Sequence, residues 1–596
     1  MSTYDKASLV LIPSGTKEGV VFSQKPTNGD GDFTFSRATA ATRVNADGLI
    51  EKETQNLLLQ SNQFDTVWGV GGTLVGGQTD KDGGSSAWSF TSSSGTSGLN
   101  QGITTGGVQT FSAYIKKNAT NGVRIYMFGS INASPWFNLD TGSVVSLSNA
   151  VDATIVEYNS EWWRISVTCN STLNSIYFYC TNNNQTQVVG TITIQDAQVE
   201  YGLVARDYIE TTTAAVEGGI TDNVPRLDYT GGATCPALLL EPSRTNLVTQ
   251  SEYIDSWSKA GSLTISNNND TSPEGTQNAS LILPNAGSGN FGIINSISKS
   301  ASSLTYTLSG FAKAKDYNFL ILRIDSGAAS GVKGAFDLSD GTISTAFSTN
   351  GSGFTFIDAD IKAHTNNWYR YEVSFTTDSL ALLRSIFYVS NVTGNGFSVP
   401  SYAANGTDGI LFWGAQLEEG SYATSYIPTY GTSVTFAQDV CSKTGISSLI
   451  GQTEGTLFSE IYYKRLTTNY GITALMIINA DGDFTNRIQL GIDQTHKLNA
   501  IFTNASAGQT VTVGSSNIQE GVHKLALKYT TTECKLFLDG VLLQTTALTI
   551  FPAATLGVVK IGNNFGNVTP INNGIKIVNL YKELLSDAEV IALTTI

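Results

Sequence analysis

A chain of 596 residues is too long for a single hydrophobic core, so three or four domains are expected. Only 14% of its residues are charged, while 41% are hydrophobic and 10% aromatic; this excludes a disordered polymer and suits short strands joined by Gly-, Ser-, Thr- and Asn-rich turns. A formal charge of −15 and the lack of any basic stripe exclude nucleic acid and disfavour anionic membranes, leaving a neutral glycan or another protein as the expected partner.

The chain opens with a four-residue apolar run, Leu9 to Ile12, too short for a signal peptide or a membrane span. That start predicts a route other than ordinary secretion. After the turn Asn28-Gly29-Asp30-Gly31-Asp32, the segment Phe33-Thr34-Phe35-Ser36 carries aromatics at period two, as a half-buried strand requires. Residues 1–48 are read as an attachment or collar segment that pairs with other chains.

Beyond it the sequence repeats. Ala197-Gln198-Val199-Glu200 returns as Ala415-Gln416-Leu417-Glu418, and each is followed at the same interval by a Tyr-Ile pair, Tyr208-Ile209 or Tyr426-Ile427. Upstream, Asn56-Leu57 matches Asn246-Leu247, Gln60-Ser61 matches Gln250-Ser251, and Trp68 matches Trp257. Phe137-Asn138-Leu139 matches Phe336-Asp337-Leu338, and Trp162-Trp163-Arg164 matches Trp368-Tyr369-Arg370. The offsets widen along the chain, as insertions in loops would make them. Two modules follow, 49–216 and 239–440, joined by a Pro- and Gly-bearing linker, 217–238, expected to be extended. Short strands without helical period predict an all-β chain of tandem β-sandwich (jelly-roll) modules.

The remainder, 441–596, holds none of the eight tryptophans. Glu454 to Tyr463 and Val522 to Tyr529 read as strands, Cys534 to Leu542 as a hairpin turning at Asp539-Gly540, and Ser586-Asp587-Ala588-Glu589 as a capping box opening a short helix.

Motifs for catalysis are missing: no His-Glu-x-x-His, nucleophile elbow or phosphate loop, and no carboxylate pair placed for glycoside hydrolysis. His523 is read as structural. Cys169 and Cys180, taken as flanking a hairpin near Leu173, fall out of register for a disulfide. No cofactor is expected; calcium is the one ion the turns would suit, at Asp481 and Asp483 of Asn479-Ala480-Asp481-Gly482-Asp483. Strand parity sends Trp163 and Ile165 inward and leaves Trp162 and Arg164 outside, where they could form a cation–π pair. Repeated tryptophans serve both copies and read as core. The unrepeated Trp88, Trp136 and Trp413 are therefore the candidates for stacking on a sugar.

Three resemblances add to this. Gly29 to Glu51, together with Asn223 to Leu247, resembles a segment of bacteriophage structural and fibre proteins, here split by a whole module. The modules, with their Trp-x-Arg strand and closing Gln-x-Glu strand, are similar to carbohydrate-binding jelly rolls. Residues 441–596 resemble the laminin-G/concanavalin-like sandwich, some of whose members bind calcium at a loop rim. Together they imply a non-catalytic virion fibre or spike subunit of the head or tail, located in the particle and contacting other virion proteins and a host cell-surface glycan or protein. A homo-oligomer is implied, a trimer above all. A secreted adhesin is the alternative, and a polysaccharide depolymerase a third.

Overall fold

Apolar and polar residues alternate along the strands of module one, giving each strand one face for a core, and the module stacks them as two six-stranded antiparallel sheets. The computed structural model describes residues 2–327, 330–393, 399–464, 473–480, 483–505, 507–514, 517–562 and 573–596. One sheet runs, in spatial order, Asp152–Glu157, Trp162–Asn170, Val108–Lys117, Thr191–Tyr201, Ala87–Ser92 and Gly72–Gln78. The other runs Ser143–Ser146, Trp136–Asn138, Gly122–Gly129, Leu173–Thr181, Leu99–Thr105 and Gly69–Val70. Between them lie Phe90, Phe111, Ile125, Ile165, Phe178 and Val199.

Module two repeats this order strand for strand. Its first sheet runs Thr355–Ala363, Tyr369–Thr376, Thr305–Ala314, Ile410–Glu419, Ala279–Pro284 and Leu263–Asp270. Its second runs Thr342–Asn350, Gly331–Asp337, Phe319–Asp325, Leu382–Ser390, Phe291–Ser298 and Ser258–Ala260.

The recurring polar residues are consumed in closing each copy. Gln198 accepts from the Ile209 amide (2.8 Å) and donates to Glu200 (2.8 Å); Gln416 does the same with Ile427 (2.6 Å) and Glu418 (2.7 Å). Asn56 donates to the Ala197 and Ile209 carbonyls, and Asn246 to those of Ala415 and Ile427. Ser61 meets the Tyr208 hydroxyl at 2.6 Å, and Ser251 that of Tyr426 at 2.7 Å. These buried groups thus find partners both in the last strand and in the loop after it, which fixes that loop to the strand before it and to the start of the module.

The C-terminal unit is a sandwich of an eight-stranded and a nine-stranded sheet. Glu454–Tyr463 and Gly521–Thr530 pair in it, and Glu533–Leu538 turns at Asp539 and Gly540, both at positive φ, into Val541–Ala547. Ser586 and Glu589 cap the helix Asp587–Thr594 reciprocally.

Three expectations are corrected. Residues 1–48 do not stand apart for other chains: Leu9–Leu11 pairs with Asn573–Tyr581, and Phe33–Ser36 pairs with Val440–Lys443 inside the nine-stranded sheet. The linker is not simply extended either, because Arg226–Asp228 and Ala237–Leu240 form a hairpin on Asn573–Tyr581. The cause in both cases is burial: Leu9, Leu11, Phe33, Phe35, Leu238 and Leu240 all enter the C-terminal core. Cys169 and Cys180 remain free thiols, but they do not flank a hairpin; their strands lie in opposite sheets.

The two stretches 29–51 and 223–247, separated by a whole module, meet again in space. The Asn223 amide donates to the Arg37 carbonyl (2.9 Å), and that of Tyr229 to Val44 (3.0 Å). Beneath them Arg37 and Arg226 share Asp439, and Arg226 also holds Glu241 at 2.6 Å, with every side chain at most 6% exposed. Module one is therefore inserted into an otherwise continuous framework.

Modules one and two are locked by a second buried network. Lys52 reaches Glu252 (2.7 Å), Glu274 (2.6 Å) and the Tyr430 hydroxyl (2.8 Å), while Arg206 holds Glu274 at 3.1 Å. Tyr201 and Tyr430 stack at 6.0 Å, and the Tyr430 carbonyl accepts from the Val108 amide at 2.7 Å.

Candidate functional site

One of the three unrepeated tryptophans, Trp413, is withdrawn from solvent, and a second, Trp88, packs partly against the module core. Trp413 is fully buried between Phe311 and Tyr426, with ring centroids at 5.5 and 4.5 Å, so a sugar finds no ring face there and the expectation is corrected. It sits where the two modules meet, with the Lys52 ammonium 5.8 Å from its ring. Trp88 is half-buried: it donates to the Asn62 carbonyl at 3.0 Å, and its ring lies against the backbone of Gly76, where any Cβ would come within about 3.0 Å of it. The cation–π pair also differs from expectation. Trp162 is buried beside Ala87 and Tyr114, and the Arg164 guanidinium lies 5.5 Å from the Tyr114 ring instead.

Trp136 is placed differently. Along Gly122–Gly129, Val123, Ile125 and Met127 enter the core, which turns Arg124, Tyr126 and Phe128 outward. Along Leu173–Thr181, Ile176, Phe178 and Cys180 point in, and Tyr177 and Tyr179 point out. Strand register then sets Tyr126 opposite Tyr177, and Arg124 between Tyr179 and Trp136. Cross-strand neighbours on one face lie close enough for their rings to meet.

The result is a band of five half-exposed rings around one cation. Tyr177 and Tyr179 stack at 5.6 Å with an interplanar angle of 8°. Tyr126 lies 5.9 Å from Tyr177 and 6.1 Å from Phe128, which is 40% exposed. The Arg124 guanidinium is 4.8 Å from the Tyr126 ring, 5.2 Å from Trp136 and 5.7 Å from Tyr179. Its Nε donates to the Ser134 hydroxyl at 2.6 Å, and its terminal nitrogens have no acceptor among the described residues. Burial lowers the Arg124 pKa, with Tyr179 and Tyr126 opposing; the group stays cationic at neutral pH. Burial and Tyr177 raise the Tyr179 pKa, so its phenol is neutral and both donates and accepts.

Copy two lacks this band. Matching strand pairings put Ile321, Arg323 and Asp325 where copy one has Arg124, Tyr126 and Phe128. Ala335 stands for Trp136 and Ile386 for Tyr177; only Tyr179 has an aromatic counterpart, Tyr388. Arg323 and Arg384 instead pair with Asp325 at 2.8 and 2.7 Å.

Chemically, the band offers flat apolar surfaces beside phenol and guanidinium donors. It suits a ligand with an apolar face and a polar rim. Of the residues concerned, sequence reasoning singled out only Trp136. Arg124, Tyr126, Tyr177 and Tyr179 were legible as outward positions of two neighbouring strands whose counterparts in copy two are mostly not aromatic.

The other sites are quickly placed. Asp481 and the Asp483 side chain lie outside the described residues; among those described, no three His, Cys, Asp or Glu residues cluster as a metal site. His523 is held between Asp539 (2.7 Å) and the Gln519 carbonyl (2.9 Å).

Residues 451–591 match the family described as the concanavalin A-like lectin/glucanases superfamily, Laminin_G_3. A comparison with curated protein sequences finds no match. Among solved structures, the chain is similar to the Ruminococcus gnavus IT-sialidase CBM40 bound to alpha2,3 sialyllactose, at 20% identity and a TM-score of 0.23, covering 26% of this chain and 91% of that one. Domain 4 of AbnA, a GH43 extracellular arabinanase from Geobacillus stearothermophilus, is similar at 17% identity and a TM-score of 0.22, over 30% and 83% of the two chains. The LG1-3 region of the laminin alpha2 chain is similar at 9% identity and a TM-score of 0.16, over 81% and 95%. This chain is thus an all-β protein that ends in a concanavalin-like, laminin-G-type domain.

Proposed function

We propose that the chain binds a glycan without transforming it, and that the ring band of module one is the contact face. The observation that carries this reading is the placement of Tyr126, Trp136, Tyr177 and Tyr179 around Arg124 on an outer sheet face, in one copy of the repeat and not the other. A pyranose ring has an apolar C–H face that stacks on an aromatic ring, and an equatorial hydroxyl rim that the guanidinium and phenols can hydrogen-bond. Two families that bind sugars, the carbohydrate-binding jelly rolls the modules resemble and the lectin superfamily matched at 451–591, support the same class of ligand.

The setting we propose is a bacteriophage particle, with the chain a fibre or spike subunit that recognises host-surface glycan. The fibre-like segment, whose halves rejoin at Arg37, Arg226 and Asp439, supports this. A homo-oligomer, a trimer for preference, would turn weak single sites into avidity.

The test is a glycan array probed with the intact protein, followed by titration of the strongest glycan. Tyr126→Ala with Trp136→Ala should weaken binding at least tenfold, whereas Trp88→Phe should leave it within twofold. Undiminished binding by the double variant would overturn the assignment. Release of reducing sugar from the bound glycan would overturn the non-catalytic reading, and a monomer in mass photometry the oligomeric one.

A further inference from the structure

The outer face of each module's other sheet meets the next unit of the chain, and each meeting leaves a cleft. In module two the cleft lies between Thr355–Ala363, Tyr369–Thr376 and the C-terminal domain, and it is bridged by charge. Lys464 holds Glu372 at 3.0 Å and Lys362 holds Glu520. In module one the equivalent cleft, about 490 Å³, lies between Asp152–Glu157, Trp162–Asn170 and module two. Equivalent pairings put Ser166 at the position of Glu372, Thr154 at that of Asp360 and Val156 at that of Lys362. The bridging charges of one copy are thus two hydroxyls and an apolar side chain in the other.

We infer that this inter-module cleft is a second binding site, for a neutral saccharide of one or two units. Its volume falls within the roughly 300–1,000 Å³ of small-molecule sites. The floor carries the Thr154 and Ser166 hydroxyls, 2.6 Å apart, beside the Tyr114 ring. Tyr158, 45% exposed, stands edge-on to Tyr114 at 5.1 Å and forms one wall. Module two supplies the opposite wall through Asn268 and Gln277, so the site exists only when both modules are in place. Asn268 fastens that wall by donating to Asp152 at 2.7 Å and to the Leu203 carbonyl at 3.3 Å. Gln277, exposed, donates its amide nitrogen to the Asn268 carbonyl at 3.2 Å and presents its side-chain oxygen to a ligand. Asp152, Glu157 and Arg164 line the cleft, with Lys81 5.1 Å from the Tyr158 ring and Asp82 accepting from the Tyr158 hydroxyl at 2.7 Å; three carboxylates against two cations disfavour an anionic sugar and admit an uncharged one. The site is separate from the ring band, which lies on the other sheet.

Ligand-observed NMR with the intact protein tests this, using lactose, maltose, cellobiose and N,N′-diacetylchitobiose at millimolar concentration, with galacturonate as the anionic control. At least one neutral disaccharide should bind and galacturonate should not. Ser166→Glu installs the residue that copy two carries at this position; it should weaken that binding at least tenfold, and Tyr158→Ala at least fivefold. Tyr126→Ala with Trp136→Ala should leave it within twofold. Three results would overturn the inference: saturation by none of the four disaccharides, binding indifferent to Ser166→Glu, or binding lost only in the Tyr126/Trp136 variant. The last would place the sugar on the ring band alone; the ring-band assignment itself is decided by the array glycan, and a disaccharide held only in the cleft leaves it standing.

Discussion

Replacing Lys52 with methionine probes the junction on which the inter-module cleft depends. The Lys52 side chain is 4% exposed, and its two carboxylate partners, Glu252 and Glu274, are 1% and 3% exposed. Burial and Arg206 oppose its charge, but the two glutamates outweigh them and hold its pKa above the usual lysine range. Methionine fills the volume and removes the cation. Glu274 keeps Arg206 at 3.1 Å, while Glu252 keeps only neutral donors, Asn278 and the tyrosine hydroxyls. Breaking a buried pair from one side costs about 3–5 kcal/mol, because the remaining charge is stranded. That is a large share of the roughly 5–15 kcal/mol that holds a domain folded. All eight tryptophans lie in the modules, so urea unfolding followed by tryptophan fluorescence reports the locked pair without the C-terminal domain. The expected loss at pH 7 is about 3–5 kcal/mol. Adding Glu252→Gln to the variant should recover at least half of it, since no charge is then stranded. The pH dependence has a definite sign. Burial would raise the Glu274 carboxyl, but Lys52 and Arg206 hold it down at about 2, so its stabilisation is present above the ordinary value of 4.5 and is lost as pH falls toward 2. Lys52→Met lacks the share of that stabilisation that Lys52 supplies, so the gap to the parent protein should narrow as pH falls below about 4.5. A loss under about 1 kcal/mol, or a gap constant from pH 7 to pH 3, would refute the reasoning.

Three further outcomes are expected. Burial first, and then the Glu217 carboxylate, raises the Glu53 pKa to about 7, so its contribution to stability is fully present below about pH 4.5 and is lost as pH rises toward 7. Glu53→Gln should therefore raise the melting temperature at pH 7.5 and leave it unchanged at pH 4, and calorimetry at the two pH values decides it. Ser586→Ala removes the oxygen that accepts from the Glu589 amide at 3.2 Å, and should cost the C-terminal domain about 1 kcal/mol in chemical denaturation. Gly107→Ala should prevent correct packing of the two modules, because a Cβ there would fall 1.6 Å from the Tyr430 carbonyl oxygen; limited proteolysis should then cleave between the modules, and the parent protein should resist.

What the sequence disclosed followed the range of the interactions concerned. The Ser586-Glu589 box and the Asp539-Gly540 turn involve residues within a few positions of one another, and both were readable residue by residue. The tandem copies were readable for a different reason: Asn56, Ser61, Gln198 and Glu200 must all be present together to close a module, so they recur as a set. Leu9–Leu11 and Ala237–Leu240 carried no such signal. They are three or four residues long, and their common partner, Asn573–Tyr581, lies hundreds of positions away. Trp413 illustrates the limit of reasoning from repeats. It is unrepeated because it faces a neighbour that only module two has at that point, and that junction buries it as completely as a core position would. Trp136 is unrepeated because its sheet face is open. Sequence counts cannot separate those two causes, but the parity of Tyr126, Tyr177 and Tyr179 on adjacent strands can.

The account turns on sugar meeting the ring band, and fluorine NMR of protein labelled with 5-fluorotryptophan observes that contact directly. With the Trp136 resonance assigned by Trp136→Phe, titration of the strongest array glycan should shift that signal while those of the buried Trp162, Trp368 and Trp413 stay fixed. A saturating glycan that leaves the Trp136 signal where it began would contradict the account.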